Sequence, residues 1–184
     1  MEFDREQIFL FPGETLVDTI LDKGVRFDII KRDEAIWCGT LGYAPTPADE
    51  PDIPGLLAAY QALIPVEKRE PVAPDWSGCI SLGYWPDKEA HRGIMFMQQV
   101  GTVHQDKRYA VYKTPASLYI RIHYNSAEIP QKLFGKEQCQ VFELYGPIHE
   151  LARKHGYEPL SPVGIEFEYY GSASCFAYCG VKKI

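Results

Sequence analysis

The chain lacks a long hydrophobic run, an excess of basic charge and any recognised catalytic signature, and each absence removes a class of function. No stretch approaches the roughly 18 apolar residues of a spanning helix. The start, Met1-Glu2-Phe3-Asp4-Arg5-Glu6, lacks the basic region of an export signal. Membrane association is therefore not expected. Lys and Arg number 19 against 25 Asp and Glu, a formal charge of −6. The longest basic runs are Lys31-Arg32, Lys68-Arg69 and Lys182-Lys183. Clustered cations that neutralise phosphates are missing, so direct nucleic-acid binding is not expected. An acidic surface favours a cationic partner and otherwise serves solubility. The five cysteines, Cys38, Cys79, Cys139, Cys175 and Cys179, form no tight framework. Their odd count argues for reduced thiols in a cytoplasmic setting. Cys175 and Cys179 have no histidine close by to complete a zinc site, so they read as packing groups. No phosphate-binding loop, HExxH or GxSxG occurs. No cofactor and no metal site are expected.

What the chain does have is aromatics. Twelve Tyr, nine Phe and three Trp make 13% of 184 residues, more than a core of this size usually needs. The remaining composition, 46% hydrophobic and 24% charged, is ordinary for a globular chain. The length suits one domain, or two small halves sharing a core, without a disulfide or metal staple.

The order of segments repeats. Phe27–Lys31 corresponds to Tyr109–Lys113, and Ile36-Trp37 to Leu118-Tyr119. Ile80–Trp85 corresponds to Ile165–Tyr170, and Ile94–Val100 to Cys175–Val181. Each half reads as strand, helix, strand, strand. In the first, a long bent strand spans Phe27–Lys31 and Ala35–Tyr43. A helix follows from Pro54 with Leu56, Leu57, Tyr60 and Ile64 at helical spacing, then strands near 79–85 and 92–100. In the second, Tyr109–Tyr112 and Ser117–Tyr124 are extended about Pro115. The helix carries Val141, Leu144, Tyr145, Ile148, Leu151 and Ala152, with a kink expected at Gly146-Pro147 and a cap at Gly156. Strands 163–170 and 175–181 close it. The spacing of Leu16, Val17, Ile20 and Leu21 predicts a short amphipathic helix before Gly24. The domain plan is thus an N-terminal segment, 1–24, followed by 25–184 as two repeats, about 25–101 and 108–184. The fold class is α+β: duplicated β-α-β-β units related by a pseudo-two-fold, with antiparallel sheets, helices on one face and a ligand groove on the other.

Strand alternation then sorts side chains by face. Cys175, Ala177, Cys179 and Val181 are small and suit a position under a helix. The helix-free face is expected to collect Trp37, Trp85, Met95, Met97, Tyr119, His123, Glu166, Glu168, Tyr170, Phe176 and Tyr178. Such a face suits a flat aromatic or lipophilic ligand, with cations among the candidates because rings attract them by about 0.5–2 kcal/mol each. A carboxylate among rings would add a charge partner.

At these residues the sequence resembles the GyrI-like effector-binding domain of bacterial AraC-type and MerR-type transcription regulators, here in standalone form. The resemblance spans about 24–184. It rests on Gly24–Arg32, on His155-Gly156-Tyr157-Glu158-Pro159, on Ile165–Tyr170, and on Cys179-Gly180-Val181-Lys182-Lys183. It implies a drug- or metabolite-binding groove between the repeats, lined by aromatics and a carboxylate. Phe176 stands where family members commonly carry an acid in the last strand, which turns attention to Glu166 and Glu168. Gly180 replaces a family proline.

Three function classes follow. The first is a multidrug-type small-molecule binder. The second is a hydrolase of reactive electrophiles, as in some standalone relatives, with Glu166, Glu168 and Tyr170 as catalytic candidates and His123 beside them. The third is a protein-interaction module that docks on a larger enzyme, supported by family analogy alone. His91, His104, His149 and His155 read as solvent-facing.

Overall fold

The structure, a computed structural model, describes residues 10–46, 48–69, 76–84, 93–124, 128–160, 166–171 and 175–184, with 76–84 and 171 described by backbone alone. Trp85 lies outside the described residues. The chain runs β1 (Glu14–Asp22), β2 (Val25–Arg32), β3 (Ala35–Tyr43), α1 (Ile53–Gln61), β4 (Trp76–Tyr84), β5 (Gly93–Val100), β6 (Ala110–Thr114) and β7 (Ser117–Tyr124). It continues through α2 (Glu128–Phe134), a 3-10 turn (Val141–Leu144), α3 (Tyr145–Lys154), β8 (Tyr157–Pro159), β9 (Glu166–Gly171) and β10 (Cys175–Lys183).

The strands form one sheet in the order β1-β2-β7-β10-β9-β4-β5-β3-β6, with β8 added beside β10. Every pairing is antiparallel, and the fold is α+β. The order is self-symmetric about the β9–β4 pair: β7-β10-β9 on one side mirrors β3-β5-β4 on the other, and β2 on β7 mirrors β6 on β3. Strands β2 and β3 stand at opposite ends of this order, yet only Asp33 and Glu34 join them. The same holds for β6 and β7, joined by Pro115 and Ala116. Two such short connections force the sheet to roll. Strands lie about 4.8 Å apart, so β9 and β3 would be roughly 14 Å apart if flat. The rings of Trp37 on β3 and Phe167 on β9 are 6.3 Å apart, which puts their face on the inside of the roll.

Helices cover the outside. Ile148, Leu151 and Ala152 of α3 are buried with Val25, Phe27, Ile29, Ile120, Ile122, Ala177, Cys179 and Val181. Each such aliphatic side chain contributes about 1.5–3 kcal/mol on burial. Beneath α1 lies a smaller cluster of Cys38, Leu63 and Val100. Asp52 caps α1 by accepting from the Gly55 N–H at 3.1 Å, and Pro54 occupies the first turn.

Several expectations are corrected. The segment before Gly24 is a strand, not a helix: Glu14–Asp22 pairs with β2, broken by a bulge between Leu16 and Asp18. Thr15, Val17, Thr19 and Ile20 are β-branched and favour extended backbone. The helix expected over Val141–Ala152 is a 3-10 turn, Val141–Leu144, that passes into α3 at Tyr145. A separate α2 forms over Glu128–Phe134, and Gly146-Pro147 falls in the first turn of α3, where proline's missing donor is harmless. The sequence reading also omitted β8, which pairs with the end of β10.

Candidate functional site

The inner face is built by strand parity. On β7, Tyr119, Arg121 and His123 alternate with Leu118, Ile120 and Ile122, which face the helices. On β10, Phe176 and Tyr178 point inward opposite Cys175, Ala177 and Cys179. Trp37 from β3 and Met95 and Met97 from β5 complete the inner wall. The structure therefore brings Trp37, Met95, Met97, Tyr119, Phe176 and Tyr178 into one buried cluster, with His123 stacked on Phe176 at 4.1 Å.

In β9 the expected parity is inverted. Phe167 and Tyr169 face inward, while Glu166, Glu168 and Tyr170 face the helices. The β10 register fixes this, since Phe167 is paired with Tyr178 and Tyr169 with Phe176, whereas Glu166 is paired with Cys179 and Glu168 with Ala177. The physical reason lies in α3. Tyr145 and His149 are one helical turn apart, about 6 Å, which matches the rise of two strand residues. The Tyr145 hydroxyl donates to Glu168 Oε1 at 2.9 Å, and His149 Nε2 lies 2.5 Å from Glu166 Oε1. Tyr170 donates to the other Glu168 oxygen at 3.0 Å. Burial, joined by the Glu168 charge, pushes Tyr145 well above the ordinary phenol range. His149, expected to face solvent, is half-buried in this pairing. Its Nε2, Glu166 Oε1 and Cys179 Sγ lie within 4.8 Å of one another. Burial pushes the Cys179 thiol far up, aided by Glu166.

Two acids do face inward, Asp28 on β2 and Glu14 from the strand outside the repeats. Glu14 stands opposite Arg32 in the β1–β2 ladder. Its Oε1 lies 3.2 Å from Arg32 Nε and accepts from the Tyr178 hydroxyl at 2.8 Å. Its Oε2 lies 2.9 Å from Arg121 Nη1. The Glu14 side chain is fully buried, and those of Arg32 and Arg121 are 3% and 1% exposed. Arg121 also meets Asp28 at 3.2 Å, and Arg26 takes the other Asp28 oxygen at 2.6 Å.

The Arg32 guanidinium sits inside a box of rings: Phe167 at 4.9 Å, Tyr178 at 5.4 Å, Tyr169 at 5.5 Å and Trp37 at 5.8 Å. Its Nη2 donates to the Tyr169 hydroxyl at 3.1 Å. Among the described residues its Nη1, also buried, has no hydrogen-bond partner. Burial opposes this charge, but Tyr169, Tyr178 and Glu14 outweigh it, and the guanidinium pKa rises. Arg121 is held the same way, 4.6 Å from the Phe176 ring. His123 is different. Burial lowers its pKa to about 4, helped by Arg121 and opposed by Asp28.

Sequence reasoning missed Phe11, Glu14, Asp28, Arg32, Arg121, Phe167 and Tyr169. Arg121 carried a signal, a charged residue at an inward position between Tyr119 and His123. So did Arg32 and Asp28, which alternate with the apolar Phe27 and Ile29 of β2. Among the described residues no helix is long and apolar enough to cross a membrane.

With this geometry in place, comparison with solved structures gives several similar folds. SAV2435, solved bound to tetraphenylphosphonium, has a TM-score of 0.54 at 12% identity, covering 85% of this chain and 93% of its own. The EcmrR C-terminal domain has a TM-score of 0.51 at 14% identity, covering 87% and 99%. A hydrolase from Listeria innocua has a TM-score of 0.51 at 13% identity, covering 85% and 91%. Such similarities establish a shared fold and leave activity to the site itself. No protein-family model and no curated protein sequence matches the chain.

Proposed function

We propose that the chain is a small-molecule-binding module of the effector-domain kind, taking an aromatic or lipophilic ligand on the inner, helix-free face between two repeats, 25–101 and 108–184. The observation that carries this reading is the inner cluster itself. Phe11, Trp37, Tyr119, Phe167, Tyr169, Phe176 and Tyr178 supply rings, and Met95 and Met97 supply thioethers. Aliphatic side chains pack a core equally well, as the cluster under α3 does with isoleucine, leucine and valine. Rings and methionines add flat, polarizable and adaptable surface, which is the usual lining of a ligand site.

The similar fold of SAV2435 supports the reading, since that protein was solved with an aromatic ion bound. The mirror-related pairing about β9 and β4 supports the two-repeat organisation. Among the described residues these inner-face side chains are buried, so a ligand there displaces an occupant.

A thermal-shift series tests the proposal on the whole chain, using tetraphenylphosphonium, a neutral arene and an arylalkanoic acid. A true ligand at 100 times its Kd adds about 2.7 kcal/mol of stability. Failure of all three, in the wild type and in variants that loosen β1, overturns it.

A further inference from the structure

Phe11-Pro12-Gly13-Glu14 forms a tight turn. The Glu14 N–H donates to the Phe11 carbonyl at 3.0 Å. Proline stands at the second position, and Gly13 at the third has φ +78°, the left-handed value such a turn requires and glycine adopts without strain. The turn delivers two groups to the inside of the roll. The Phe11 ring, 3% exposed, stacks on Tyr169 at 4.1 Å and meets Phe176 edge-on at 5.6 Å. The Glu14 carboxylate meets Arg32, Arg121, the Tyr178 hydroxyl and the Phe11 N–H.

An arene and a carboxylate, held a short chain apart, thus occupy a face of rings, methionines, two buried guanidiniums and Asp28. We infer that the inner face takes an aromatic carboxylate, and that Phe11–Glu14 is its built-in stand-in. The inference rests on the small-molecule reading above and specifies the ligand's charge.

Three observations support exchange. First, β1 is the edge of the sheet and pairs with β2 alone. Most of its residues are exposed or half-buried, so little apolar burial holds it, and such segments open most readily. Second, a depression of about 210 Å³ borders the turn, with Pro12, Gly13, Arg32, Arg69, Asp33 and Glu34 in its lining, so two cations and two acids meet there. It gives an approach beside Arg32. Third, the charge left behind is the wrong sign for a cation. With the turn withdrawn, Arg32 loses its carboxylate, while Arg121 retains Asp28 and the Tyr178 hydroxyl. A lipophilic cation would then sit beside an unpaired guanidinium, whereas an arylalkanoate replaces both halves of what left. Because the stand-in is tethered, it competes at high effective concentration, and the wild-type affinity is reduced accordingly.

The test uses the full chain with 3-phenylpropionate, 3-phenyl-1-propanol and tetraphenylphosphonium, by calorimetry and thermal shift. Wild type, Phe11→Ala and Glu14→Gln are compared. The expected result is about tenfold tighter binding of 3-phenylpropionate by the two variants than by wild type, with the alcohol and the phosphonium about tenfold weaker than the acid. Arg121→Met introduced into Phe11→Ala removes the preference for the acid. If Glu14→Gln does not fold alone, refolding with 3-phenylpropionate but not with the alcohol supports the inference, and recovery with neither overturns it. If the alcohol or the phosphonium binds as well as the acid, the inference falls while the small-molecule reading stands. If no compound binds any variant, both fall.

Discussion

Glu14 and Arg32 face each other across the β1–β2 ladder, and their side chains meet at 3.2 Å with neither exposed beyond 3%. Removing one charge strands the other. Glu14→Ala is expected to destabilise the fold by about 3–5 kcal/mol, the cost of leaving a buried guanidinium unpaired. Arg32→Met leaves Glu14 its contacts to Arg121 and Tyr178 and is expected to cost less. The double variant Glu14→Ala/Arg32→Met should fall well short of the sum, as a double-mutant cycle in urea unfolding would reveal.

Tyr145→Phe tests the other polar cluster, the one beneath α3. It removes a hydroxyl that donates to Glu168 at 2.9 Å. Hydrogen bonds to charged groups contribute about 1.5–3 kcal/mol, so thermal unfolding should shift down by that amount. Affinity for inner-face ligands should stay unchanged, because Glu168 and Tyr145 lie on the opposite side of the sheet. A change in ligand affinity larger than the stability loss would argue against the assigned faces.

The stability of the fold should fall on acidification through one identifiable group. His123 has its pKa lowered to about 4 by burial and by Arg121, against an ordinary 6.5. Between these values the unfolded chain binds a proton that the folded chain refuses. Stability is therefore full above pH 6.5 and declines as pH falls towards 4, by at most about 3 kcal/mol. His123→Phe keeps the stacking on Phe176 and should flatten that part of the profile in urea titrations at stepped pH.

Thiol labelling should follow burial. Cys38 and Cys175 are buried, with pKa values pushed up to about 11 and about 12 by desolvation. Cys179 is raised further. Cys139 is only half-buried. Among these four, Cys139 should react first with a thiol reagent at neutral pH, and the others only on unfolding.

How far the sequence was legible follows from what alternation can and cannot show. Trp37, Tyr119, Phe176 and Tyr178 fell on the inner face as expected because their neighbours Ile36, Leu118, Ile120 and Ala177 are small or aliphatic and match a helix-covered surface. In β9 both faces offer large side chains, so alternation alone does not say which of them the helices cover. The partners of its acids, Tyr145 and His149, come from a helix some twenty residues upstream, which β9 alone does not disclose. Glu14 was illegible for a related reason. The spacing of Leu16, Val17, Ile20 and Leu21 fits a helix, and only pairing with β2 shows that the segment is extended and turned inward.

The short Asp33-Glu34 and Pro115-Ala116 connections also bear on how the chain folds. They make each half complete the other: β2 must find β7, with Phe27 opposite Ile122, and β6 must find β3, with Lys113 opposite Ile36. Partners so distant along the chain bring slow loop closure before any reward, so refolding belongs on the millisecond-to-second scale of high-contact-order sheets. Neither half can bury its rings before the other arrives. During synthesis the aromatic lining stays open to water until β10, the final strand, has left the ribosome.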